Sequence, residues 1–120
     1  MPEENTDSIL LTIRQMIGPS VSYDVFDPQL IIHINSALAR LCQLGVGPIG
    51  TPFKITGIYE TWNDFWNGVE SPIQDEVRQY VSLKVKMIFD TPASSSVIKV
   101  IQDQIDTLEW LMREVAVDGY

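Results

Sequence analysis

Apolar side chains recur with the period of an amphipathic helix in four segments of the chain. Proline and glycine separate these segments, as they commonly do at the ends of helices. The pattern therefore predicts four helices, over residues 9–17, 27–44, 72–89 and 91–115.

Helix-capping residues support these limits. Asp7 or Ser8 precedes the first apolar position and can accept hydrogen bonds from the free N–H groups of the first helix. Gly18 and Gly45 follow the first and second helices, where a residue that tolerates a left-handed backbone is favoured. Thr91, directly before a proline, is expected to cap the last helix.

Residues 46–71 interrupt the helical pattern. Residues 53–56 alternate between apolar and polar like a short β-strand, and residues 61–66 are expected to form one helical turn capped by Thr61. A connection this long is often functional, and such a segment can become ordered only on assembly. We expect an all-α fold in a single domain over residues 1–120: a small bundle of about four helices with one long irregular loop.

Three residues do not fit the face of the helix on which they lie. Ile32 falls among polar positions, where it is either a solitary exposed side chain or part of a subunit contact. Trp110 falls among charged positions, where it either contacts a partner or packs on the loop or the first helix. Lys84 interrupts an apolar face, so it must extend to solvent, pair with an acid or face a partner; a catalytic lysine is the remaining alternative.

Trp62, Phe65 and Trp66 form an aromatic cluster in the loop. Aromatic rings can stack on the bases of single-stranded nucleic acid, but that mode needs a positive groove beside them. Only Lys54 is near in sequence, so packing in the core or at an interface is favoured. The sequence thus proposes a subunit or partner interface and one buried or interface charge: Ile32, Trp62, Phe65, Trp66 and Trp110, with Lys84 as the charge.

Composition restricts the classes of function. The chain has 120 residues, 45% of them apolar, with 16 acidic and 8 basic side chains and a formal net charge of −8. A domain of this length buries roughly two-thirds of its unfolded surface, which disfavours disorder. A self-sufficient nucleic-acid binder is disfavoured because phosphate binding needs clustered Lys and Arg.

No catalytic, cofactor or metal site is predicted. The single histidine, His33, and the single cysteine, Cys42, are nine residues apart on one helix and point to different sides. Residues 45–50 resemble a glycine-rich phosphate loop, but they follow a helix and lack its Lys-Ser/Thr ending.

The location of the protein is also constrained by sequence. One cysteine cannot form an internal disulfide, which fits a reducing compartment. The first seven residues do not resemble a secretory signal, and no apolar run approaches the roughly 20 residues that cross a bilayer. We expect a protein made and kept, or assembled, in a cytoplasm.

The order and spacing of several segments resemble the head–tail connector family (head completion or DNA-packaging adaptor proteins) of tailed siphoviruses and their prophages. The segments that carry this resemblance cover nearly the whole chain: 9–18, 26–27, 30–38, 44–48, 53–57, 60–62, 80–90 and 108–110. One departure is Asp90-Thr91-Pro92, where two prolines after the aspartate are expected.

The resemblance implies a structural role with no enzymatic activity and no cofactor. Such subunits form a homo-oligomeric ring, usually dodecameric in the virion, beneath the portal protein. The ring extends the DNA channel, lets DNA pass without sequence-specific binding, and offers a docking surface to the next head completion or tail protein. The implied location is the virion, with assembly in the host cytoplasm. The net negative charge is compatible with this role, because like-charged walls do not adsorb DNA.

Two other classes of protein remain open from sequence. A small acidic regulator, such as an antirepressor or a DNA-mimic inhibitor, would need its acids in one continuous exposed stripe. A hydrolase would need a pocket around His33 or Lys84.

Overall fold

The computed structural model describes residues 7–18, 24–48 and 50–117. The amino-terminal residues that bear on a secretory signal lie outside this part of the chain. The described residues contain no strand and form five α-helices, with a 3₁₀ turn, Asp24–Phe26, before the second. The helices are α1 Ile9–Ile17, α2 Asp27–Gln43, α3 Trp62–Trp66, α4 Gln74–Phe89 and α5 Ser95–Val117. The prediction of an all-α bundle with four long helices and one irregular loop is confirmed.

Helix α4 is the centre of the bundle, because α1, α2 and α5 all pack against it. Its apolar positions recur every three or four residues, and Val77, Tyr80, Val81 and Val85 are fully buried. Burial of each large apolar side chain stabilises the fold by about 1.5–3 kcal/mol. The residues that meet α4 from the other long helices are equally periodic: Ile9, Leu10 and Ile13; Leu30, Ile34 and Leu41; Ile101, Ile105, Leu108 and Met112.

The residue that caps the first helix agrees with the sequence prediction, and the residue that caps the last helix differs from it. Ser8 caps α1, since its hydroxyl accepts a hydrogen bond from the Leu11 N–H at 3.3 Å. The prediction that Thr91 caps the last helix is wrong. The Thr91 hydroxyl donates to the Met87 carbonyl and closes α4 instead. Ser94 caps α5, which consequently begins at Ser95.

The short strand predicted over residues 53–56 does not form. A strand needs a neighbouring strand to satisfy its N–H and C=O groups. Here the side-chain amide of Asn35 on α2 replaces that neighbour. Its Oδ1 accepts from the Ile55 N–H at 2.7 Å, and its Nδ2 donates to the Ile55 carbonyl at 3.0 Å. Residues 53–56 are therefore held against a helix and not in a sheet.

Candidate functional site

The loop between α2 and α4 is built around the short helix α3. The Thr61 hydroxyl accepts from the Asp64 N–H at 3.0 Å, and the Asp64 carboxylate accepts from the Thr61 N–H at 3.1 Å. This reciprocal capping box satisfies two otherwise free N–H groups. Asn67, with a φ of 55°, then ends the helix in the left-handed conformation. The predicted helical turn capped by Thr61 is confirmed.

Phe65 is the centre of the aromatic cluster. Its ring makes edge-to-face contacts with Trp66, Phe53 and Trp62, at centroid distances of 4.9, 5.8 and 6.1 Å. Gly47 lies against the same ring, with a φ of +96°, and a Cβ atom there would lie 2.6 Å from Phe65 Cζ. The cluster therefore requires glycine at this position, both for the backbone conformation and for the space.

Trp62 and Phe65 were candidate interface residues with packing in the core as the alternative, and their burial agrees with the core alternative. Both side chains are 1% exposed, because the loop folds over α1 and α4 and takes them into the core. Neither offers a surface to a partner. Trp66 is half-buried and lines a groove of about 760 Å³, together with the exposed side chains of Val69 and Glu70.

The start of α1 and helix α4 hold the loop in place. An antiparallel bridge joins it to the start of α1, where the Ile9 N–H donates to the Glu60 carbonyl at 3.1 Å and the Trp62 N–H to the Asp7 carbonyl at 3.0 Å. On α4, the Arg78 guanidinium lies 5.5 Å from the centre of the Trp62 ring and donates to the Asp7 carboxylate at 3.3 Å. These contacts are all internal to one copy of the chain, and ordering of the loop on assembly stays a prediction.

The Glu60 carboxylate organises the turn before α3. It accepts from the Thr56 hydroxyl at 2.7 Å and from the Gly57 N–H at 3.3 Å. Burial acts to raise the pKa of Glu60, but these hydrogen bonds to the charged form outweigh it and hold the pKa below its usual value. Glu60 is therefore a structural acid of the loop.

A polar tie of three side chains joins three helices, and sequence analysis missed it. Glu109 on α5 accepts from the Tyr80 hydroxyl of α4 at 2.6 Å and from Arg40 Nη2 of α2 at 3.0 Å. Burial and the bond to Glu109 raise the pKa of Tyr80. Burial opposes the charge on Glu109, but Arg40 and Tyr80 outweigh it and lower the Glu109 pKa. A tyrosine in the middle of an apolar face, whose hydroxyl needs a partner, was the available signal.

Lys84 lies beside this tie. Its Nζ is 5.8 Å from the centre of the Tyr80 ring, and its charge helps to lower the pKa of Glu109. Lys84 also lines a groove of about 280 Å³ with His33 and Ser36. His33 packs edge-to-face on Phe89 at 5.6 Å. The geometry favours the structural interpretation of Lys84 over the catalytic one.

Ile32 and Trp110 project from the outer faces of two different helices. Ile32 on α2 is 64% exposed and Trp110 on α5 is 60% exposed. The buried residues of α5, such as Ile105 and Met112, lie on the opposite side of the helix from Trp110. Whether either residue contacts a partner stays a prediction.

The described residues offer no group of three or more His, Cys, Asp or Glu side chains placed to hold a metal ion. Nor do they include a helix with the length and hydropathy needed to span a bilayer.

The fold and its surfaces define a small helical protein with exposed apolar residues on two helices and a loop tied to α1 and α4. The family model described as phage connector protein matches residues 9–117, and the chain belongs to this family. Comparison with curated proteins and with solved structures gave no match. The family is a structural one, so the protein is a virion component with a head–tail connector role.

Proposed function

We propose that this protein forms a closed homo-oligomeric ring, dodecameric in the virion, that docks beneath the portal protein. The ring extends the DNA channel and presents a docking surface to the next head completion or tail protein. Membership of the phage connector family over residues 9–117 carries this proposal. Assembly takes place in the host cytoplasm before the ring joins the filled head.

The architecture of the subunit is suited to a static ring. Helices α1, α2 and α5 pack on α4, and the Tyr80–Glu109–Arg40 tie further joins α2, α4 and α5. A rigid subunit loses little conformational freedom when it associates, and more of the contact energy is then available for assembly. A ring also needs two unlike contact patches on each subunit, since a head-to-tail interface closes only by rotation. Ile32 and Trp110 lie on separate helices and supply a candidate for each patch.

The charge of the chain is compatible with a conduit for DNA. The formal net charge is −8, and like charges repel over a Debye length of roughly 8 Å at physiological salt. A wall of this sign does not retain passing DNA. The acids are distributed over the first turns of α2, α3 and α4 and the exposed face of α5, and this distribution disfavours the DNA-mimic regulator.

The test is the oligomeric state of the purified protein, alone and mixed with the portal protein of the same phage. Light scattering coupled to size exclusion gives the mass, and negative-stain microscopy shows whether a ring forms. We expect rings alone or on the portal. A protein that stays monomeric and does not bind the portal protein at any concentration would exclude the connector ring.

A further inference from the structure

Acidic residues are absent from one continuous part of the chain. All sixteen Asp and Glu residues lie outside residues 28–59, a stretch that carries two cations, Arg40 and Lys54. This stretch comprises α2 after its first residue and the first part of the loop. The stretch itself therefore adds no negative charge to the surface, although Glu109 pairs with Arg40 and Glu60 binds Thr56 at its borders.

The exposed part of residues 28–59 includes the outer surface of α2. Ile32, Ser36 and Gln43 are exposed there, and Ile32 is the large apolar side chain among them. Lys54 lies beside α2, because Asn35 binds the backbone of the adjacent Ile55. Lys54 is exposed and has no ion pair within the described residues. We name this surface, formed by Ile32, Ser36, Gln43 and Lys54, the α2 face.

The outer surface of α5 has the opposite character. Trp110 lies at its centre, with the exposed acids Asp106 and Glu114 one helical turn before and after it. Asp103 adds a third acid, paired with Lys99 at 3.7 Å, and Arg113 is the one further cation on this surface. We name the surface formed by Asp103, Asp106, Trp110 and Glu114 the α5 face.

We propose that the occupant of the α2 face is the α5 face of a second copy of this chain. Two copies that each carry a net charge of −8 repel one another wherever acids meet acids. The α2 face carries no acid and one exposed cation, Lys54, so it can approach the α5 face without that repulsion. In the contact, Ile32 packs on Trp110, and Lys54 faces Asp106 or Glu114. Exposed Trp at the centre of a contact commonly carries much of its energy.

This contact rests on the proposed function, because a ring requires a head-to-tail contact between two different surfaces of each copy. Each copy keeps one free α2 face and one free α5 face after pairing, so the same contact repeats from copy to copy. Such a head-to-tail series closes into a ring or continues as a filament. The contact thus assigns both halves of the ring interface to named residues.

Single substitutions test each face. Ser36→Glu places an acid on the α2 face, and Trp110→Ala removes the centre of the α5 face. We expect each to raise the dissociation constant of the subunit contact by roughly tenfold or more, the typical cost of losing an important interface residue. Gln15→Glu is the matched control for Ser36→Glu, because Gln15 is exposed on α1, which belongs to neither face, and the change in charge is the same. Circular dichroism checks that all three variants keep their helix content.

A mixture of the two defective variants gives the sharper result. The Ser36→Glu variant keeps an intact α5 face, and the Trp110→Ala variant keeps an intact α2 face. Mixed together, they should form one-to-one pairs that cannot grow, which native mass spectrometry resolves from rings. Pairs without rings support the contact. Complete rings in the mixture, or no pairs, would overturn it.

The outcomes for the ring and for the contact are separable. If both variants form rings as readily as the wild type, the assigned contact is wrong but the proposed ring is not. A wild-type protein that stays monomeric, alone and on the portal, overturns the ring itself and the contact with it.

Discussion

The helical bundle and the loop between α2 and α4 are held together in different ways. Each long helix contributes a periodic apolar stripe to the bundle, and one polar tie, Tyr80–Glu109–Arg40, is added to that apolar packing. The loop has few periodic positions. It is held by hydrogen bonds to its backbone, from Asn35 and Glu60, and by rings packed around Phe65. A long connection can therefore be as well packed as a helix, provided that polar side chains satisfy its backbone.

The largest expected effect comes from removing the aromatic centre of the loop. Phe65→Ala should lower the free energy of unfolding by about 3–5 kcal/mol, the range for large aromatic residues truncated in a core. Chemical denaturation measures the loss. Tyr59→Ala in the same loop is the control, because Tyr59 is 83% exposed and its loss should change little. Equal effects of the two substitutions would contradict a loop packed around Phe65.

Substitution of Gly47 and of Gly50 allows the stability cost of a steric clash to be measured separately from the cost of backbone strain. Gly47 and Gly50 have nearly the same positive φ, +96° and +94°, but a Cβ atom at Gly50 meets nothing within 4 Å. Gly47→Ala adds a clash with the Phe65 ring to the strain that Gly50→Ala also introduces. We expect Gly47→Ala to cost about 1–3 kcal/mol more than Gly50→Ala. Thermal denaturation of the two variants gives the difference, and no difference would mean that the ring moves aside freely.

The polar tie in the bundle has a smaller effect, and it depends on pH. Tyr80→Phe removes one hydrogen bond and should cost about 1 kcal/mol. Glu109 has a lower pKa in the folded protein than in the unfolded chain. Its contribution to stability is therefore complete above the unfolded pKa of about 4.3 and is lost as the pH falls through the folded pKa.

Comparison of wild type with Glu109→Gln measures this dependence. The difference in Tm between the two proteins should be constant near pH 7 and should shrink below about pH 4. Gln104→Ala is a suitable control, since Gln104 is an exposed, uncharged residue of the same helix and its loss should give a difference in Tm that does not depend on pH. A difference that stays constant down to pH 3 would show that Glu109 is not held ionised by Arg40 and Tyr80.

The candidate site was only partly predictable from sequence. Trp62 and Trp110 are the same residue type and both have acidic neighbours along the chain, yet Trp62 is 1% exposed and Trp110 is 60% exposed. The difference arises from what packs opposite: Arg78 of α4 covers Trp62, whereas α5 turns Trp110 away from the bundle. Burial of a single side chain in an irregular segment depends on distant residues, and no local pattern contains that information.

The sequence by itself determined the helices of this protein, most of their ends, and the family to which it belongs. These features depend on hydrophobic period and on Pro, Gly and capping residues, all of which act within a few positions along the chain. The tertiary structure alone decided that Asn35 binds Ile55 in place of a strand and that Glu109 joins α2 to α4. Most of these contacts join residues far apart in sequence, and their geometry exists only once the helices have packed.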